Sequence, residues 1–260
     1  MKLSKILAPL LALCLFASTA CASTFIDAHG NEIQLDDSLE AYAAVTLVGA
    51  NDAARQGETN LGDLWTDALR WFAVSGEINA AFDEDDVKAG NDHIAVDADH
   101  VVALWNGGNL RADIAEGTFG AEALAEVLPF PNKVAVVYMS GAQLLEALEA
   151  ASQALPYTAE TADACASLMQ VSGLTYTVDT AKAYDALEAY GDHWFTAGSV
   201  SRVSISDVNG QPFDETATYA VVTSNANFNG MDSSYVFKTA AEENELSAVT
   251  VAVVRDVVWS

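Results

Sequence analysis

The run Val101-Val102-Ala103-Leu104-Trp105, followed at once by Asn106-Gly107-Gly108-Asn109-Leu110-Arg111, constrains this chain more than any other segment. Five apolar residues in a row are short for a helix and suit a strand buried inside a sheet. A buried strand needs other layers around it, so the chain must supply further strands and helices with apolar faces. The Asn-Gly-Gly turn then delivers whatever follows the strand to one edge of that sheet.

Those layers are readable. Residues 60–74 form the clearest helix, capped by Thr59 or Asn60, with Leu61, Leu64, Trp65, Ala68, Leu69 and Phe72 at helical spacing. Residues 121–127 and 140–152 read as two more helices, the second with Leu144, Leu145 and Leu148 inward. Residues 133–139, 174–178, 202–205 and 219–223 read as strands, and a hairpin spans Thr24 to Leu35 around a His29-Gly30-Asn31 turn. Residues 249–259 fit a strand or a helix. With no repeat and no low-complexity linker, the fold class is α+β: one domain of mixed sheet and packed helices over residues 40–260, with 23–39 as an N-terminal extension.

Residues 1–22 read as an export signal: Lys2 and Lys5, an apolar run from Ile6 to Phe16, then Ala20-Cys21-Ala22. Cleavage after Ala22 and lipidation at Cys21 both fit, placing the protein in the periplasm or outside the cell. No segment has the length of a membrane span. The mature chain keeps Cys165 alone, so packing rather than an intrachain disulfide stabilises it. Lys2 and Lys5 leave with the signal, so 11 Lys+Arg become 9 against 37 Asp+Glu, a formal balance of −28. Such a charge argues against nucleic acid and anionic membranes as partners.

Two features suggest metal sites and do not carry them. Asp27-Ala28-His29 lacks the further ligand motifs that metal-dependent phosphoesterases need. The carboxylates of Asp83-Glu84-Asp85-Asp86 and their neighbours within residues 75–99 miss calcium-loop spacing and read as a solvated acidic insertion. His29, His93, His100 and His193 are scattered, and no Ser–His–Asp or Cys–His arrangement stands out, so no catalytic residue is assigned.

Four segments bear residue types suited to binding. Arg55 precedes Glu58-Thr59-Asn60-Leu61-Gly62. Gly107-Gly108 allows close backbone approach to a ligand, and Arg111 is placed to clamp a phosphate; a tight turn with a surface arginine is the other reading. Phe130, between Pro129 and Pro131, is either a ring presented on a loop or a buried anchor for the next strand. Asp232, in Asn229-Gly230-Met231-Asp232, is a ligand acceptor or a turn residue.

Taken together and in this order, Arg-Gln-Gly-Glu-Thr-Asn-Leu-Gly, Trp-Asn-Gly-Gly-Asn-Leu-Arg, Leu-Pro-Phe-Pro-Asn and Asn-Gly-Met-Asp resemble the C-terminal, substrate-binding domain of the 5'-nucleotidase family. The likeness covers about residues 40–258, with Gln170-Val171-Ser172-Gly173, Arg202-Val203 and Asn209-Gly210 also in place. It implies that Arg55 and Arg111 contact the phosphate, Phe130 and Asn132 the base, and Asp232 the ribose hydroxyls of a nucleoside or nucleoside monophosphate, with Asn106 and Gly108 also substrate-binding. Ala226 stands where the family has a second stacking aromatic, and Met231 replaces one of its glycines.

The resemblance implies no resident cofactor. Divalent metals would belong to a metallophosphoesterase domain, which these residues do not contain. Three functions follow as expectations: a nucleotide-binding domain in nucleotide scavenging that does not hydrolyse its ligand, a substrate-binding subunit completing a 5'-nucleotidase with a separate metallophosphoesterase, or a structural module that kept the fold. A guanidinium–phosphate contact at ~4 Å is worth about 4 kcal/mol at an effective dielectric near 20, whereas distant carboxylates are screened beyond roughly 8 Å. The acidic surface should therefore slow association without abolishing binding.

Overall fold

The computed structural model describes residues 23–26, 32–35, 40–82 and 94–259. The export-signal segment with Cys21, the Asp27-Ala28-His29 run with its turn, and the acidic residues 83–93 lie outside the described residues.

The apolar run becomes strand β1 (Val101–Asn106), buried at all its positions. It lies in a five-stranded mixed sheet with β2 (Lys133–Ser140), β3 (Met169–Ser172), β4 (Thr218–Ser224) and β5 (Ala248–Val253), in the order β5-β2-β4-β1-β3. β4 runs parallel to β1, pairing Ala220 with Val101, while the other pairings are antiparallel.

Why the strand reads as unbroken apolar sequence is visible in its two faces. Val101, Ala103 and Trp105 pack on helix α2 (Asn60–Val74) through Leu61, Trp65, Leu69 and Phe72. Val102 and Leu104 face the other way, toward Leu144 and Leu148 of helix α3 (Gly141–Ala151) and Phe237 of a C-terminal helix, Tyr235–Glu243. β2 and β4 divide likewise: Val136 and Val222 join the first cluster, Val137 and Val221 the second. A strand covered on both faces has no polar positions to alternate. Each fully buried Val, Leu or Phe contributes roughly 1.5–3 kcal/mol, so the two layers hold the sheet from both sides.

Local signals set the helix ends. Thr59 accepts from Gly62 N and starts α2 at Asn60. Ser140 and Gln143 form a reciprocal capping box at the start of α3, trimming the expected 140–152 helix by one residue at each end. Residues 249–259 resolve as both alternatives in succession: β5, then a helix over Val254–Trp259. The acidic stretch is not solvated throughout, because Ile78 and Ala81 sit in a short 3-10 helix (Glu77–Ala81) and are buried in the core.

Three smaller sheets surround the centre. The expected N-terminal hairpin pairs Ser23–Ile26 with Glu32–Leu35. Leu174–Val178, Val203–Val208 and Gln211–Pro212 form a three-stranded sheet, tied to α3 by buried Glu149, whose Oε2 accepts from Arg202 N (2.9 Å) and Val203 N (2.8 Å). A hairpin pairing Ala186–Tyr190 with Trp194–Ala197, absent from the sequence reading, lies largely exposed. No helix among the described residues is long and apolar enough to cross a membrane.

Candidate functional site

The loop after β1 and the segment before α2 meet at the sheet's edge. Arg55 lies in the last turn of helix α1 (Asn51–Gln56). Its side chain is only 12% exposed and lies 3.8 Å from Asp163 Oδ1, and its Nη1 donates to Ala162 O at 2.6 Å. Its Nε is buried and has no protein partner. The chain on either side is pinned by Gln170 of β3, whose Nε2 donates to Ala54 O (3.1 Å) and Gly57 O (2.9 Å) while its Oε1 accepts from Thr59 N (2.9 Å). Gly62 makes room for that amide, since a Cβ there would fall 2.1 Å from Gln170 Oε1.

The glycine pair has a packing requirement of its own. A Cβ on Gly107 would sit 2.0 Å from Ala54 O, and one on Gly108 2.5 Å from the Ala166 Cβ. The close approach these glycines permit is therefore to α1 and to the 164–167 turn, which carry and support Arg55. At the turn's entrance Asn106, buried at the end of β1, donates from Nδ2 to Asp232 Oδ2 at 3.2 Å and accepts from Asn109 Nδ2 at 2.8 Å.

Asp232 is held with φ +54, two residues after Gly230 at φ +80. For a non-glycine residue that left-handed backbone is costly, and its placement beside a polar cluster is characteristic of a functional loop. Burial raises the Asp232 carboxyl above its ordinary range, opposed by the nearby positive charges of Arg55 and Arg111. Both guanidinium groups thus act on this carboxylate. Arg111 in turn stands over the Phe130 ring, 5.4 Å from its centroid, and its backbone N donates to Val127 O. Phe130 is 44% exposed, so the prolines present the ring rather than bury it.

The rim closes through backbone contacts. Asn132 follows Phe130, is half-buried and accepts at its carbonyl from Val254 N (2.8 Å). Lys133 N donates to Asn225 Oδ1 (2.8 Å), and Met231 N to Ala226 O (3.0 Å), which brings the Phe130 loop beside the Asp232 loop. Phe228 packs against the core and does not stand in for an aromatic at Ala226. Met231 is 58% exposed.

Sequence reasoning gave Gln170 no role, although a lone amide within Leu168-Met169-Gln170-Val171 was an available signal. It also passed over Asp63, in the first turn of α2. Burial first, then the neighbouring Glu58 and Asp67 carboxylates, push Asp63 up to about 7. Its buried Oδ1 has no hydrogen-bond partner. Cys165 is buried and its thiol is pushed up by desolvation, which makes it unreactive. Among the described residues no group of three or more His, Cys, Asp or Glu is arranged to hold a metal ion. The convergent groups comprise two guanidiniums, a carboxylate, a buried amide and an exposed ring. They suit a ligand with an anionic end, vicinal hydroxyls and a flat apolar part.

Comparison with known proteins fits this geometry. The family model for the 5'-nucleotidase C-terminal domain matches residues 39–241. The trifunctional nucleotide phosphoesterase protein YfkN of Bacillus subtilis is 27% identical over 229 residues, covering 86% of this chain and 13% of that protein. The cell wall protein Lmo0130 of Listeria monocytogenes is 32% identical over 199 residues, 73% of this chain and 20% of that protein. Among solved structures, the 5'-nucleotidase precursor of Thermus thermophilus superposes with a TM-score of 0.61 at 25% identity, over 91% of this chain and 45% of that one. The NAD nucleotidase of Haemophilus influenzae shares the fold at a TM-score of 0.52 and 17% identity, over 83% of this chain and 33% of that one. The chain thus spans less than half the length of each of these proteins.

Proposed function

Since the chain belongs to the 5'-nucleotidase C-terminal domain family, we propose that it binds a nucleoside or nucleoside monophosphate in the site between Arg55, Arg111, Phe130 and Asp232. In this reading Arg55 and Arg111 hold the phosphate, with Asn106 and the Gly108 turn fixing that wall. Phe130 stacks on the base, Asn132 hydrogen-bonds to it, and Asp232 accepts from the ribose hydroxyls. The observation that carries the proposal is the convergence on Asp232: Asn106 bonds to it, and both arginines act on its carboxylate.

None of these groups forms a nucleophile–base pair, so their contribution is to bind and orient. Phosphate-ester hydrolysis by this class uses two metal ions to generate hydroxide and stabilise the leaving oxygens. The site residues are binding groups for a substrate on which a metallophosphoesterase unit acts. The exposure of Phe130 and Met231 on the rim favours a second version, in which that unit is a separate chain docking over the site. The basic start and apolar run of residues 2–16 support export, and the name of the Listeria relative, a cell wall protein, agrees with it.

Calorimetric titration of residues 23–260 with AMP and with adenosine, followed by phosphate measurement on the same samples, tests the reading. Tighter binding of AMP, with no phosphate released, is the expected result. A folded protein that takes up neither ligand leaves a structural module in place of a binding domain. Phosphate release would assign catalysis to this chain itself.

A further inference from the structure

The proposed site has two walls, the segment supporting Arg55 and the loop carrying Asp232, which the central sheet joins from within through Asn106 and Gln170. We propose that the exposed hairpin straps these walls together through one cross-strand pair, Tyr190 and Trp194, and that both are positioning residues for the ligand. The inference rests on the nucleotide-binding reading above.

Most of the hairpin makes little use of the core, since Leu187 is 68% and Phe195 43% exposed. Its facing pair, Trp194 opposite Tyr190, is half-buried, and the two side chains reach different acceptors. The Tyr190 hydroxyl donates to Gly230 O at 2.6 Å, and the Trp194 indole N–H donates to Ala164 O at 3.0 Å. Each acceptor lies next to a site residue. Gly230 is two residues before Asp232, and its φ of +80 leaves a space in which a Cβ would fall 2.4 Å from the Tyr190 hydroxyl. Ala164 opens the turn in which Ala166 packs on Gly108, and it follows Ala162, whose carbonyl accepts from Arg55.

The physical requirement is clear on the Asp232 side. A left-handed non-glycine residue persists only when its surroundings over-determine it. Asn106 fixes the carboxylate from within, and Tyr190 holds the Gly230 carbonyl, two residues earlier, from outside. The hairpin is itself anchored at its base, where Phe195 N donates to Gln153 Oε1 (2.8 Å) and Ala197 N to Tyr235 Oη (2.9 Å). It therefore sets the spacing between the phosphate-holding and sugar-holding groups without touching the ligand.

Two conservative variants separate this role from plain stability. Tyr190→Phe keeps the ring and removes the hydroxyl; Trp194→Phe removes the indole N–H. Each is titrated with adenosine and with inorganic phosphate, and amide hydrogen exchange is followed over residues 162–167 and 226–232. Tyr190→Phe should speed exchange in 226–232 and weaken adenosine about fivefold, the worth of one net hydrogen bond, while sparing phosphate. Trp194→Phe should show the converse, with faster exchange in 162–167 and weaker phosphate. Unchanged exchange in both variants, unchanged affinities beside altered exchange, or equal losses of both ligands in each variant would overturn the strap. Locally altered exchange in a protein whose wild type binds neither ligand would keep the strap as a structural tie and remove the nucleotide reading instead.

Discussion

Arg55 and Arg111 differ in a way that bears on how they act. Arg55 is mostly buried and already committed to Ala162 O, whereas Arg111 is exposed and rests on Phe130. In the proposed site this pairs a fixed guanidinium with an adjustable one, and Arg111 would be the one that adapts to a phosphate. Replacing both by alanine should abolish measurable AMP affinity in calorimetry while leaving the fold intact by circular dichroism; retained affinity would remove the phosphate assignment. In the proposed role, Asp232 must be ionised to accept from two ribose hydroxyls. Because burial raises its carboxyl, adenosine affinity should fall on acidification at a higher pH than an ordinary aspartate would dictate. Asp232→Asn should flatten that pH profile and cost about 1.5–3 kcal/mol of binding, the range for hydrogen bonds to a charged group. An unaltered profile would place the titration elsewhere. At this scale the sequence drew attention to the basic residues, because the whole chain has only 11 Lys+Arg against 37 Asp+Glu. It offered no reason for Gln170, whose role exists only because β3 runs past the ends of α1 and α2.

Among elements, the tightest constraint is the crossing of the Gly107-Gly108 turn over α1. The Ala54 carbonyl cannot retreat without breaking its bond from Gln170. Gly107→Ala should therefore destabilise the protein by about 3 kcal/mol, the upper end of ordinary overpacking costs, read from urea denaturation midpoints. A near-neutral result would show that α1 can shift. The α2 and α3 helices were readable because capping residues and apolar spacing agree along the chain. The hairpin over residues 186–197 was not, because none of its strand residues is fully buried and they carry no burial-driven alternation. Likewise residues 249–259 were ambiguous by periodicity alone, the change from strand to helix being imposed by pairing to β2.

At the level of the whole molecule, charge governs the pH and salt responses. Asp63 is 3.8 ordinarily and about 7 when folded, so the native state holds an extra proton between those values. The stability this contributes is fully present below the lower value and is lost as pH rises through the upper one. Unfolding midpoints in urea should fall from pH 4.5 to pH 7.5, and Asp63→Asn, which keeps a hydrogen-bond donor for Glu58, should shrink that fall. An equal fall in the variant would assign it to other carboxylates. With a formal net charge of −26, the chain repels an anionic ligand at long range. The association rate for AMP in stopped flow should rise with salt, since screening shortens the repulsion more than it weakens close contacts. A rate that falls with salt would point to local steering by the arginines instead.

The sequence by itself determined the layered α+β fold and singled out the residues proposed to bind, because burial pattern, helix caps and residue type are properties of short segments. Tertiary structure alone decided the left-handed Asp232, the glycines that let α1 approach, the amide that fixes Arg55 and the hairpin that spans the two walls. Each of these depends on atoms far apart in the chain meeting within a few ångströms, and no local pattern encodes such a meeting.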